Sequence, residues 1–142
     1  MTAPFRELIP ILICDDVPTS LAFYRDTLGF SIVNFDESVG KSGWASISCG
    51  PVSLMLASPR SHPESVKVDG TYPQLILYLY PEDLEAMRER VVAAGRQVSE
   101  LRESFYGMRE FDTTDPSGHV LWFGKSIEPD PSDAASAAAT DA

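Results

Sequence analysis

The chain has 142 residues, of which 44% are hydrophobic and 23% are charged, which is the composition of one ordinary globular domain with a normal core. Its 21 acidic and 11 basic residues give a net charge of −10. That balance disfavours nucleic acid and anionic membranes as partners, because phosphate binding depends on Lys and Arg. No apolar run reaches the roughly 20 residues that cross a bilayer, and residues 1–7 lack the features of a signal peptide, so we expect a cytoplasmic protein.

The first half of the chain predicts a strand, a helix and three further strands. The isoleucine-rich segment 6–14 has the apolar character of a buried strand. Asp16 as the N-cap and Gly29 as the terminating residue bound an amphipathic helix. Turns at Gly40 and at Gly50 then separate three predicted strands, at residues 30–36, 43–49 and 52–57.

The second half repeats this order of elements. Residues 75–80 predict a strand, and Asp83 opens a helix that Gly95 ends. Three more strands are predicted at residues 97–102, 109–113 and 119–123. We therefore predict an α+β fold of two βαβββ modules, each a curved mixed sheet around a cleft, at about residues 5–58 and 72–125. Residues 1–126 would form one domain, and the acidic segment 127–142, rich in Ala, Ser and Pro, would be a disordered tail.

Two segments carry motifs typical of a known family. They are the helix sequence DVPTSLAFYRDTLGF at residues 16–30 and the turn sequence DPSGH at residues 115–119. With the order of elements, they resemble the vicinal oxygen chelate superfamily, which includes glyoxalase, extradiol dioxygenases and bleomycin-resistance proteins. The resemblance covers about residues 5–125 and implies two βαβββ modules. Because this superfamily includes both metalloenzymes and pure binding proteins, the residues of the site must decide the function.

The metal ligands of that superfamily have no counterpart in this sequence. The resemblance places its first-strand histidine at Ile9, its fifth-strand histidine near Gln74 and its eighth-strand glutamate at Trp122. Isoleucine and tryptophan offer a metal no usable lone pair, and a single glutamine is a weak ligand. We therefore expect no metal, no cofactor and no catalytic residue of the family type. Whether the chain is an enzyme stays open, and the sequence favours a protein that is not one.

Further segments resemble the bleomycin-resistance branch of the superfamily. They are IPIL at residues 9–12, VSLML at residues 52–56, the pair Tyr78 and Tyr80, and REF at residues 109–111. This resemblance implies a small acidic homodimer that sequesters a large, flat, cationic antibiotic in clefts shared between the subunits. The net charge of −10 agrees with a cationic ligand.

Aromatic and acidic side chains on the predicted strands are the candidates for ligand contact. Tyr78 and Tyr80 share one face of their strand, because alternate residues point the same way. Aromatic rings stack on planar ligands and attract cations, while carboxylates steer a cationic ligand towards the site. The predicted ligand-binding residues are Phe35, Trp44, Tyr78, Tyr80, Tyr106, Glu110, Asp112 and Trp122.

Two rival functions remain open on the sequence alone. One is a lyase, transferase or isomerase of the same superfamily with an atypical site, which bound metal or turnover would reveal. The other is a binder of another metabolite or of a partner protein, which would fail to bind bleomycins. A purely structural role of the aromatic residues is also open, since tyrosine is common in strands and Trp122 would then fill space in the core.

Overall fold

A computed structural model of the chain describes residues 3–58 and 75–127. The described residues form two compact units, one made of residues 3–58 and 114–119 and the other of residues 75–113 and 120–127. The predicted loop at 59–70, the Gln74 position and the predicted tail from residue 128 onward lie outside the described residues. None of the helices described is long and apolar enough to cross a membrane.

The first unit contains a four-stranded mixed sheet and one helix. Its elements are β1 (Ile11–Ile13), α1 (Val17–Ala22), β2 (Ser31–Asp36), β3 (Trp44–Cys49) and β4 (Val52–Ala57). The strands lie in the order β1-β4-β3-β2, with β1 parallel to β4 and the other pairs antiparallel. Helix α1 packs on β3 and β4. Alternate residues of these strands are buried as a core, namely Ala45, Ile47, Leu54 and Leu56.

The second unit repeats this topology. Its elements are β5 (Ile76–Leu79), α2 (Leu84–Ala93), β6 (Arg102–Glu103), β7 (Met108–Thr114) and β8 (Val120–Ser126). The strand order is β5-β8-β7-β6, with β5 parallel to β8 and β6 antiparallel to β7. Helix α2 packs on β8, and Phe111 stacks on Phe123 with ring centroids 4.9 Å apart. The predicted α+β fold of two βαβββ modules is confirmed.

Both helices begin at the predicted N-caps. The backbone N–H of Thr19 donates to Asp16 Oδ2 at 3.1 Å, and that of Ala86 donates to Asp83 Oδ1 at 3.0 Å. Each contact satisfies one of the backbone N–H groups that have no partner within the helix at its first turn. The first helix is not regular throughout, because Phe23–Thr27 forms a π-helical turn directly after α1.

Two strands are shorter than predicted. β1 covers only three residues of the predicted segment 6–14, and Pro10 immediately before it has no N–H to donate to a neighbouring strand. β6 covers two residues instead of 97–102, while Val98 forms a single isolated bridge to Thr113. The predicted lengths are wrong because an extended segment becomes a strand only where a partner strand lies beside it.

The turn sequence at residues 115–119 holds a buried carboxylate. Asp115 is fully buried and accepts hydrogen bonds from Tyr24 Oη at 2.8 Å and from the backbone N–H groups of Ser117 and His119, both at 2.9 Å. Burial, followed by the charge of Asp115, raises the pKa of Tyr24. His119 Nε2 lies 2.6 Å from the carbonyl oxygen of Ile13. This motif therefore contributes to the architecture of the first unit.

Candidate ligand-binding site

Residues of β7 and β8 alternate between the two faces of the second sheet. Phe111, Leu121 and Phe123 are buried on the side where α2 packs. Glu110 and Trp122 therefore point to the opposite face, since successive side chains of a strand alternate. We call that side the tyrosine face. It is formed by Tyr78, Tyr80, Arg102, Tyr106, Glu110, Asp112, Trp122 and Gly124.

Three aromatic rings form a continuous group on the tyrosine face. Tyr78 and Trp122 are register partners on the parallel strands β5 and β8, and their ring centroids lie 6.3 Å apart. The ring of Tyr80 follows at 5.0 Å from that of Tyr78, tilted by 46°. Tyr80 is 74% exposed, so its ring is available for contact with another molecule. The expected pairing of Tyr78 and Tyr80 on one side of the strand is present.

Glu110 is a buried carboxylate whose oxygens are engaged by three side chains. It is only 1% exposed and accepts hydrogen bonds from Tyr78 Oη at 2.7 Å, from Arg102 Nε at 3.2 Å and from the Tyr106 hydroxyl. Burial by itself raises the pKa of Glu110, but the hydrogen bonds from Tyr106, Tyr78 and Arg102 outweigh it, so the pKa lies below its usual value. Glu110 is therefore ionised at neutral pH and holds the tyrosines in place.

Arg102 links the two carboxylates of the tyrosine face and was missed by the sequence analysis. Its Nη1 donates to Asp112 Oδ2 at 2.7 Å, while its Nε contacts Glu110. The guanidinium carbon lies 4.8 Å from the centroid of the Trp122 ring. The sequence did contain a signal, because Glu110 and Asp112 share a strand face and like charges in such a position call for a cation between them.

The phenols that contact Glu110 are held in their neutral form. Burial and then the hydrogen bond to Glu110 raise the pKa of Tyr78, and the hydrogen bond to Glu110 is the main cause that raises the pKa of Tyr106. Both hydroxyls are thus donors at neutral pH, and neither is prepared to remove a proton from a ligand. The arrangement presents a rigid aromatic surface with fixed hydrogen bonds.

The other two predicted ligand-binding residues belong to the first unit and lie on opposite faces of its sheet. Phe35 pairs with Ala45, which is buried on the side where α1 packs. Trp44 pairs with Asp36 and Ala57, one register position away, and therefore points to the other side. Of the eight predicted residues, the structure brings six together within one unit.

The residues that the resemblance places at the superfamily's metal positions are poorly suited to bind a metal ion. Ile9 is aliphatic, the ring of Trp122 contacts Tyr78 and Arg102, and Gln74 falls outside the described residues. Within residues 3–58 and 75–127, no three His, Cys, Asp or Glu side chains come close enough together to hold an ion.

The sequence profile of the Glyoxalase/Bleomycin resistance protein/Dioxygenase superfamily matches residues 8–123. The chain belongs to this superfamily. A search of curated protein sequences finds no match.

Solved structures of similar fold include proteins of different kinds. TioX from Micromonospora sp. ML1 has a TM-score of 0.69 and 19% identity, covering 86% of this chain and 99% of that one. TnmS3, an antibiotic binding protein from Streptomyces sp. CB03234, has a TM-score of 0.67 and 21% identity, covering 88% and 99%. Lactoylglutathione lyase from Agrobacterium tumefaciens has a TM-score of 0.63 and 22% identity, covering 86% and 95%. At these identities the likeness shows a shared superfamily fold and does not identify a ligand.

Proposed function

We propose that this chain is a non-catalytic binding protein that sequesters a cationic, aromatic antibiotic, with the bleomycin type as the leading ligand. The ligand would stack on the tyrosine face of the second sheet. The observation that carries the proposal is the grouping of Tyr78, Tyr80 and Trp122, whose outermost ring is largely exposed, beside the carboxylates Glu110 and Asp112.

The aromatic side chains supply the holding force in this proposal. Tyr80 and Tyr106 are exposed, so their rings are free to lie against a planar ligand. Each aromatic pair adds about 0.5–1.5 kcal/mol beyond the area that it buries. Tyr78 and Trp122 are half-buried beside Tyr80, so their rings offer a smaller area to the ligand. Several such contacts would add to one another in the affinity of the complex.

Charge has a different role, which is to attract and orient the ligand. The chain carries a net charge of −10, and such a field speeds the encounter with a cation more than it strengthens the final complex. On the tyrosine face itself, Arg102 pairs with both Glu110 and Asp112 and balances one of their two charges. Stacking therefore contributes more of the affinity than ion pairing does.

Three further observations support binding without catalysis. The resemblance to the superfamily places Ile9 and Trp122 at two positions where its metal-dependent members have ligands, and neither side chain suits a metal ion. A structure of similar fold, TnmS3, is described as an antibiotic binding protein, and the two chains cover each other almost completely. The ionised, fully engaged state of Glu110 also supports a structural role for the one buried carboxylate of the tyrosine face.

Isothermal titration of the metal-stripped protein with metal-free bleomycin tests the proposal. We expect saturable binding, and we expect Tyr80→Ala to weaken it by about 1–3 kcal/mol, the effect of removing an aromatic contact from a binding site. Phe5→Ala is the matched control, because Phe5 is an aromatic residue of the first unit that is 83% exposed. Its affinity should equal that of the unaltered protein, and both variants should keep the native circular dichroism spectrum.

The rival functions are outcomes of the same experiment. Absence of heat at several temperatures would overturn the bleomycin proposal, and saturable binding of a different metabolite would then favour a metabolite binder. A stoichiometric divalent ion, or turnover of a substrate, would favour a lyase, transferase or isomerase with an atypical site. Unchanged affinity in Tyr80→Ala would remove the exposed ring from the ligand site.

We also propose that the chain acts as a homodimer with clefts shared between its subunits. Strand β1 supports this because it is an edge strand with exposed apolar side chains, Ile11 and Ile13. Apolar side chains on an edge strand favour association with a second chain. Sedimentation analysis with and without ligand should find the dimer, and a monomer that binds ligand with full affinity would contradict this proposal.

A further inference from the structure

Gly124 lies inside β8, where a glycine weakens the strand. Its backbone does not adopt the positive φ angle that would require a glycine. Seven other glycines, from Gly29 to Gly118, have positive φ angles and so occupy a conformation that favours glycine, but Gly124 is not one of them. A glycine inside a strand often marks a place where another group approaches closely. By alternation with Phe123, Gly124 belongs to the tyrosine face.

The space above Gly124 is filled by the phenol ring of Tyr78. A Cβ atom at residue 124 would lie 2.6 Å from Tyr78 Cζ and 2.8 Å from Tyr78 Cε1, and nearer still to the phenol oxygen. These separations are below the 3.0 Å that real Cβ contacts keep. Even the smallest side chain at this position would therefore collide with the ring as it lies.

The strand order explains why the ring lies there. Tyr78 is on β5 and Glu110 is on β7, with β8 between these two strands. The Tyr78 ring crosses β8 over Gly124, and its hydroxyl donates to Glu110 at 2.7 Å. The missing side chain at Gly124 thus leaves a slot, and the slot is what allows this hydrogen bond across the middle strand.

We propose that Gly124 is a specificity-determining residue of the ligand site. The space above Gly124 allows the Tyr78 ring to lie across β8, and it thereby sets how far the aromatic surface stands from the sheet. This inference rests on the proposed function and adds a ligand class to it. Gly124 acts through Tyr78 and is a positioning residue. With Tyr78 seated, its ring and that of Tyr80 lie 5.0 Å apart and form one surface.

The chemical class of ligand follows from the size of that surface. A planar conjugated system made of two linked or fused aromatic rings is long enough to reach both tyrosines, whose centroids are 5.0 Å apart. Because the two rings are tilted by 46° to each other, such a ligand would stack on the exposed ring of Tyr80 and meet the ring of Tyr78 at an angle. A side chain at residue 124 would lift the Tyr78 ring off the sheet, break its contact with Glu110, and move the ring into the space where the ligand stacks. The site would then lose the planar ligand.

The first test needs no ligand and uses NMR of tyrosines labelled with carbon-13 at Cζ. The Tyr78 signal is assigned by its loss in Tyr78→Phe, and it reports the hydrogen bond to Glu110. In Gly124→Ala we expect this signal to move to the position of a solvent-exposed tyrosine. Gly50→Ala is the control, because Gly50 has a φ of 56° and nothing within 4 Å of its would-be Cβ, so it adds strain without crowding. A Tyr78 signal that stays in place in Gly124→Ala would overturn the inference.

The second test is a double-mutant cycle on the affinity for metal-free bleomycin. Gly124→Ala should weaken binding about tenfold or more, whereas in the Tyr78→Ala background the same substitution should change it less than about twofold. An equal loss in both backgrounds would show that Gly124 does not act through Tyr78 and would overturn the inference. If Gly124→Ala does not fold, folding of the double variant Gly124→Ala/Tyr78→Ala tests the inference. A folded double variant would support the clash with Tyr78, and an unfolded one would contradict it.

The two tests separate this inference from the proposed function. If the unaltered protein binds no bleomycin, the proposed ligand is wrong. The carbon-13 signal of Tyr78 in Gly124→Ala then tests by itself whether Gly124 positions Tyr78. If the unaltered protein binds bleomycin and the Tyr78 signal is the same in Gly124→Ala, the proposed function stands and the role of Gly124 is wrong.

Discussion

Among residues 3–58 and 75–127, two Arg–Glu pairs have equal length and different burial, and they allow a controlled test of Glu110. The Arg102 Nε to Glu110 Oε1 distance is 3.2 Å, and so is the Arg109 Nη1 to Glu85 Oε1 distance. Glu110 is 1% exposed and its arginine 35%, whereas Glu85 and Arg109 are 52% and 48% exposed. Glu110→Gln and Glu85→Gln therefore remove the same charge from two different environments.

The expected cost of Glu110→Gln follows from its three donors. A hydrogen bond to a charged group contributes roughly 1.5–3 kcal/mol, and one between neutral groups roughly 0.5–1.5 kcal/mol. Three weakened bonds would sum to about 3 kcal/mol, but Arg102 keeps Asp112 as a partner and the exposed Tyr106 hydroxyl can turn to water. We therefore expect the free energy of unfolding to fall by about 2 kcal/mol. The exposed pair should contribute less than about 1 kcal/mol.

Urea denaturation followed by tryptophan fluorescence measures both variants. Glu110→Gln should lower the midpoint without changing the slope of the transition, which reports the surface exposed on unfolding. Glu85→Gln should leave the midpoint near that of the unaltered protein. Equal midpoints for the two variants would refute the reasoning, because burial of the carboxylate would then make no difference to its hydrogen bonds.

Two further predictions concern solution conditions. Because the folded protein holds the pKa of Glu110 below its unfolded value of about 4.3, this residue stabilises the fold above that pH and loses its contribution as the pH falls through the lowered value. Glu110→Gln should therefore reduce the dependence of stability on pH below about 5, as denaturation at several pH values will measure, and parallel curves would contradict the assignment. For a cationic ligand, the negative net charge predicts that affinity and association rate fall as salt rises from about 0.05 to 0.5 M. Salt-independent titration and stopped-flow data would rule out electrostatic steering.

The sequence by itself determined the features that depend on short stretches of chain. The N-caps Asp16 and Asp83 accept hydrogen bonds from N–H groups three residues away, so a short stretch of sequence is enough to predict where both helices begin. The alternation of an extended chain also acts locally, and it places Tyr78 in β5 and Tyr80 directly after β5 side by side. The residue types Ile9 and Trp122, at two positions where the resemblance places metal ligands, are likewise read directly from the sequence.

Only the tertiary structure decided which distant side chains meet. Strand β8 lies between β5 and β7, and this lateral order lets Tyr78 reach Glu110, 32 residues away, over Gly124. The position of Arg102 between two carboxylates depends on the pairing of β6 with β7. Local sequence patterns do not predict which side chains of distant strands become neighbours, because the order of the strands depends on the packing of the whole sheet. The aromatic residues were therefore predictable from the sequence, and the network that holds them in place was not.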